Sequence, residues 1–173
     1  MECRGWKIKR RMKLGSILRQ ENIVPELAAT DRWQAIEELV DQLIHTGAIA
    51  AADRPSVLAA LNRREQSMST GIGYGVGIPH APSPLITEVA VAFGRSRGGV
   101  EFAAVDDQPV TLVVLFLAPQ GKVLPHLPTL AGIARLLHRA ELRHALEQAP
   151  DADAMLRVIR DGEKETHAGR KSG

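Results

Sequence analysis

Residues 110–118 read V-T-L-V-V-L-F-L-A, nearly unbroken in apolar side chains and β-branched in the first half. A strand with one wet face alternates apolar and polar residues. A run that is apolar at almost every position needs cover on both faces. The run is too short to be a membrane-spanning helix. It is expected to be a central strand, ended by Pro119, and layers on both sides must cover it.

Helical patterns before and after it supply that cover. Ile17, Leu18, Ile23 and Val24 suggest a short helical turn leading to an extended piece. Asp31 and Gln34 stand at capping-box spacing, and Trp33, Ile36, Leu39, Val40, Leu43 and Ile44 then recur on one helical face. Gly47 suits the residue just past that helix. Asp53 is expected to cap a second helix, with Pro55 in its first turn and Val57, Leu58 and Leu61 inward, ending near Arg64 and Glu65. Residues 86–94 read as a strand, Gly98-Gly99 as a turn, residues 100–102 as a short extended piece, and Asp106-Asp107 as another turn. Pro125 is expected to open a further helix, with His126 in its first turn and Leu127, Leu130, Ala131, Ala134 and Leu137 inward. A short helix over residues 141–148 follows, and then one capped by Asp151 that carries Met155, Leu156 and Ile159. The expected fold is a three-layer α/β sandwich, a mixed central β-sheet with helices on both faces.

Length bounds the rest. The 173 residues suit one domain with a sizeable core. Residues 1–12 read as a disordered basic extension, 13–161 as the domain and 162–173 as a flexible tail. Residues 1–11 hold five basic residues and one acidic one, so 17 basic and 19 acidic residues remain and the net charge changes from +2 to −2. The basic balance thus belongs to the extension, where Met12 could be the natural start, and says little about the domain's partners, for which no nucleic acid is expected. Aromatic residues are only 3%, too few for base-stacking platforms. The single cysteine, Cys3, permits no internal disulfide, which fits a reducing, cytoplasmic setting. No apolar stretch follows the basic start, so neither a secretion signal nor membrane insertion is expected.

Residues 63–82 carry the chemistry: R-R-E-Q-S-M-S-T-G-I-G-Y-G-V-G-I-P-H-A-P. Glycines alternate at Gly71, Gly73, Gly75 and Gly77, followed by Ile78, Pro79 and His80. Such a run can expose backbone N–H groups to an anion, and Pro79 stiffens the approach to the imidazole. A dinucleotide fingerprint fails on spacing, because Val76 or Ile78 stands where the third glycine is needed. A phosphate-loop pattern fails because no Lys-Ser or Lys-Thr follows. Two imidazoles with Asp106 or Asp107 would supply metal ligands, but no tight ligand spacing is present, so neither metal nor cofactor is expected. His45, His138, His144 and His167 have no comparable neighbours and read as surface or helix-end residues.

The stretch R-E-x-x-x-S-T-G-I-G-x-G-V-x-I-P-H over residues 64–80 resembles the signature of EIIA type-2 domains of the bacterial phosphoenolpyruvate-dependent phosphotransferase system, the fructose, mannitol and nitrogen-regulatory group. Residues 109–119 and 126–137 are similar to that family's later blocks, and the likeness spans about residues 13–160. By position, it implies that His80 is the phosphorylated nucleophile, and that His126 and Arg64 stabilise the phosphoryl group. The chemistry of those side chains agrees. Neutral imidazole is nucleophilic near neutral pH, and a guanidinium fork suits phosphate oxygens. Thr70, Gly71 and Gly73 are the expected phosphate-binding residues. Bland roles stand beside these: Arg64 as a bridge to Glu65 or the end of its helix, Thr70 as a turn hydroxyl bonding its own backbone.

The implied partners are a histidine phosphocarrier protein as donor and an EIIB-type protein or a regulatory target as acceptor, with the nitrogen-regulatory role favoured over sugar uptake. The alternative is a docking module of the same family that binds a transporter or kinase without phosphoryl transfer. Two departures stand out. Ala81-Pro82-Ser83 replaces the common small residue followed by a basic one, and Asp107 stands where glycine is common.

Overall fold

The computed structural model describes residues 12–121 and 123–168. Residues 1–11 of the expected extension over 1–12 lie outside the described residues. The architecture is the expected three-layer sandwich. In chain order it has α1 (Leu14–Ile17), β1 (Ile23–Val24), α2 (Arg32–His45), α3 (Arg54–Ser67), β2 (Gly71–Gly73), β3 (Val76–Gly77), β4 (His80–Ser83), β5 (Ala90–Val100), β6 (Val110–Pro119), α4 (Val123–Leu137), α5 (Ala140–Gln148) and α6 (Ala152–Ala168).

β6 is the central strand. Along it only Thr111 and Pro119 are less than buried. From Leu112 its residues alternate between two cores. Val113, Leu115 and Leu117 join the cluster made with α2 and α3, while Leu112, Val114, Phe116 and Ala118 join the cluster made with α1, α4, α5 and α6. The sheet order is β1-β5-β6-β3-β2, with β4 also pairing on β6. β5 runs antiparallel to β6, whereas β3 and β4 run parallel to it, so the sheet is mixed.

Local signals explain most element ends. The Asp31 carboxylate accepts from the Gln34 amide at 2.9 Å, and the Gln34 side chain accepts from the Thr30 amide at 3.1 Å, a reciprocal cap at the start of α2. Asp151 caps α6 by accepting from the Ala154 amide at 2.8 Å. The expected cap at Asp53 does not form; a short 3-10 turn (Ala51–Asp53) leads into α3 instead, and Pro55 alone favours that start.

Four expectations change. β5 starts at Ala90 rather than residue 86 and continues through Gly98-Gly99. Those glycines form an irregularity between Arg95 and Val100, not a turn: Gly99 takes φ +79°, and pairing resumes at Val100 opposite Val110. α4 starts two residues before Pro125; Leu130, Ala134 and Leu137 face inward as expected, joined by Thr129, Ile133 and Leu136, whereas Ala131 is exposed and Leu127 is half exposed at 50%. Residues 162–168 of the expected tail are helical, since α6 continues past Gly162, and residues 169–173 lie outside the described residues.

One buried cation ties the layers together. Arg95 on β5 is 1% exposed. Its Nε donates to the Pro25 carbonyl at 2.9 Å, and Nη1 donates to the carbonyls of Leu146 at 2.8 Å and Ala149 at 2.6 Å, at the end of α5. Those carbonyls have no helical donor left, and a guanidinium offers several N–H groups in one plane. Arg95→Met leaves buried acceptors unpaired and is expected to lower stability by more than about 2 kcal/mol in urea unfolding. An unchanged midpoint would rule out the clamp.

Candidate functional site

The glycine-rich segment folds as a hairpin rather than as an open loop. β2 and β3 pair antiparallel around Tyr74 and Gly75, both at positive φ (+56° and +73°). Two successive left-handed residues make the tight turn whose twist matches the strands, which is why glycine stands at one of them. Gly71 is a glycine because of close approach. A Cβ there would lie 2.8 Å from the Ala104 backbone. Asp107 has φ +56°, which explains why its position favours glycine.

Ile78 and Pro79 then lead into β4, whose only strand neighbour among the described residues is β6. His80 pairs in register with Phe116. Register partners on adjacent strands share a face, so the imidazole lies on the Phe116 side of the sheet. The His126 ring, in the first turn of α4, packs against the same Phe116, with ring centroids 5.7 Å apart. The two histidines, 46 residues apart in sequence, therefore flank one buried phenyl ring. α3 packs with the other core, yet its last turns bring Arg64 and Glu65 close enough for their charges to act on His80. The site sits at the sheet edge, where helices from both layers converge.

The imidazole has a defined orientation. Nδ1 lies 2.8 Å from the Ile78 carbonyl. A carbonyl only accepts, so Nδ1 carries the proton and the neutral ring keeps its lone pair on Nε2. The ring's pKa lies below the ordinary 6.5, chiefly because burial disfavours the charged form. The Ile78 carbonyl opposes that shift, the Arg64 charge adds to it, and the Glu65 charge opposes it. The ring is only partly covered, so Nε2 chemistry is not sealed beneath the core.

Arg64, Thr70 and the glycines differ in what they do. Arg64 Nη1 donates to the Met68 carbonyl at 2.9 Å beyond the end of α3, and its other donors remain for a ligand. Thr70, expected to bind phosphate, is turned toward Glu65 instead of solvent. Thr70 is buried, and both its hydroxyl (2.5 Å) and its amide (3.0 Å) donate to the Glu65 carboxylate. Gly71 and Gly73, the other expected phosphate-binding residues, are engaged within the hairpin. The Gly71 amide donates to Ser69 Oγ at 3.1 Å, and both glycines lie in β2 against residues 104–106. Gly71 pairs with Gly77, which pairs with Val113, three residues before Phe116. That places it about 10 Å from the His80 level at ~3.3 Å per residue. The glycines build the hairpin that delivers His80. Sequence reasoning missed Glu65 as the organiser of this corner. Its place directly after Arg64, five residues before Thr70, was the available signal.

Asp106 also lies at the hairpin, not with the histidines. Its carboxylate accepts from the Tyr74 amide at 2.9 Å, and that bond holds its pKa below the usual carboxylate value. Pro82 fits β4 because an edge strand has a side with no ladder partner for its missing N–H.

A family model, the phosphoenolpyruvate-dependent sugar phosphotransferase system EIIA 2 domain, matches residues 16–162. The chain belongs to this family. It is a phosphotransferase-system EIIA type-2 component, and the mixed sheet between two helical layers is that family's fold. It is 34% identical over 148 residues to the nitrogen regulatory protein of Bradyrhizobium diazoefficiens, which covers 86% of this chain and 95% of that protein. It is 35% identical over 153 residues to the fructose-specific EIIABC component of Bacillus subtilis, covering 88% of this chain but only 24% of that much longer protein. The crystal structure of nitrogen regulatory protein IIA-Ntr from Neisseria meningitidis superposes with a TM-score of 0.76 at 28% identity, covering 84% of this EIIA chain and 98% of that one. No helix among the described residues is long and apolar enough to cross a membrane.

The lowered pKa of His80 makes a measurable statement about folding. As pH falls past about 6.5 the unfolded ring binds a proton while the folded ring does not, so stability drops until the folded ring itself titrates. Removing the ring removes that part of the slope. Urea midpoints followed from about pH 8 to about pH 5 are expected to fall more steeply for the wild type than for His80→Asn. Parallel curves would refute the shift.

Proposed function

We propose that this EIIA chain carries phosphate on Nε2 of His80. The observation that carries this reading is the Nδ1–H bond to the Ile78 carbonyl. It fixes the tautomer, leaves one nucleophilic nitrogen, and supports the positive charge that the ring acquires when Nε2 bonds to phosphorus. The family relationship makes a histidine phosphocarrier protein the natural donor. In uptake the Nε2 lone pair forms the new N–P bond as the donor's N–P bond breaks, and the departing pair stays on the donor ring. Little covalent work falls to the protein, which must align the groups and offset charge on the equatorial oxygens.

Arg64 and His126 are the residues for that task. Arg64 offers free guanidinium donors beside His80. His126 stands in the first turn of α4, where the helix N-terminus favours an anion. Release reverses the step toward an EIIB-type acceptor. The name of the Bacillus relative joins A with B and C components in one chain, which supports such an acceptor. The near full-length match to a nitrogen regulatory protein supports use of the phosphorylated state as a signal, in the cytoplasm.

The test is transfer from labelled phosphoenolpyruvate through the general system components to the purified chain. His80→Ala is expected to abolish labelling. Label that persisted in this variant would remove His80 from the relay. Arg64→Ala and His126→Ala are expected to retain slow labelling, with rates lower by about 10²–10³, the usual effect of losing one charge-stabilising donor. Rates equal to wild type in both would leave the oxyanion without the stabilisers proposed.

A further inference from the structure

Glu65 is 1% exposed, yet it is an acid in the middle of an apolar corner. Burying a carboxylate is costly unless every oxygen is bonded, and an apolar residue of similar size would fill the space more cheaply. Its oxygens take the Thr70 hydroxyl at 2.5 Å and the Thr70 amide at 3.0 and 3.2 Å, with Arg32 Nη1 from α2 at 3.5 Å. The Thr70 carbonyl in turn accepts from the Ile78 amide at 3.0 Å. The Ile78 carbonyl accepts the His80 Nδ1 proton at 2.8 Å. One unbroken path of hydrogen bonds thus runs from the carboxylate to the imidazole, and it arrives on the side of the ring away from Nε2.

We propose that Glu65 is a positioning residue for phosphoryl transfer, which holds Ile78 through Thr70 and so dictates that His80 presents Nε2. The inference rests on the carrier role proposed for His80. Ile78 donates its amide to the Thr70 carbonyl and offers its own carbonyl, in the next peptide unit, to the ring, so this residue is held at both ends. A shift of Thr70 therefore rotates the carbonyl that selects the tautomer. Charge adds to geometry. Glu65 favours the cationic ring that phosphorylation creates, whereas Arg64 disfavours it. With the negative residue behind Nδ1, the phosphoryl oxygens on Nε2 are spared most of its repulsion, and Arg64 and His126 remain to meet them.

Two variants test this. Glu65→Gln keeps the shape and removes the charge; Thr70→Val keeps the amide and removes the hydroxyl. Ring-nitrogen NMR of the unphosphorylated protein reads the His80 tautomer and its titration without any donor. The wild type is expected to show Nδ1–H throughout. Glu65→Gln is expected to mix the tautomers and lower the ring's titration midpoint, and both variants to take up label about tenfold more slowly. Thr70→Val supplies the answer if Glu65→Gln does not fold. A folded Glu65→Gln or Thr70→Val whose ring signals and labelling rate match wild type overturns the proposal. So does a labelling loss that tracks lost stability while the ring spectrum is unchanged. If the wild type itself takes no label, the carrier role of His80 fails instead, and the tautomer measurement still decides whether Glu65 governs the ring.

Discussion

Burial of β6 on both faces is the constraint from which the other layers follow. A strand with apolar residues on both sides cannot rest against water, so helices must pack above and below it. Alternation along the strand sends successive side chains into different cores. The first core takes α2 and α3; the second takes the helices at the two ends of the chain. β4 can then be short and lie at an edge, because β6 is already satisfied by β5 on its other side.

The site exploits that edge. An imidazole in the middle of the sheet would be sealed, and one on a free loop would be unoriented. His80 has a strand's rigidity on its backbone and an edge's access on its ring. Phe116 packs against the His126 ring and stands in register with His80, so the same residue serves the core and the site. Burial and the Nδ1 bond act together here. The first keeps the ring neutral, and the second decides which nitrogen has the lone pair.

Two of the charged groups buried among the described residues join segments distant in sequence. Arg95 draws the end of α5 and the segment after β1 toward β5. Glu65 draws the end of α3 toward the hairpin and reaches Arg32 on α2. Apolar packing alone would set the layers close together without fixing their angles. Directional bonds to carbonyls and amides, unpaired if lost, select one arrangement.

Periodicity and short motifs made the layered fold legible in the chain, along with the central strand and the caps at Asp31 and Asp151. These depend on nearest neighbours in sequence, or on a spacing that any reader of the chain can measure. Other features belong to the tertiary structure alone. The glycine run looked like an anion cradle and proved to be a hairpin, because close approach by residues 102–106 and a two-residue turn were already demanding those glycines. Thr70 looked like a phosphate donor and is spent on Glu65. Leu127 looked inward and faces out, because the buried stripe of α4 runs through Thr129, Ile133, Leu136 and Leu137. Sequence pattern determined which chemical groups the chain has and which elements bear them. The neighbours that only folding supplies decided which donors are still free, because a hydrogen bond taken up across the fold leaves no trace in local spacing.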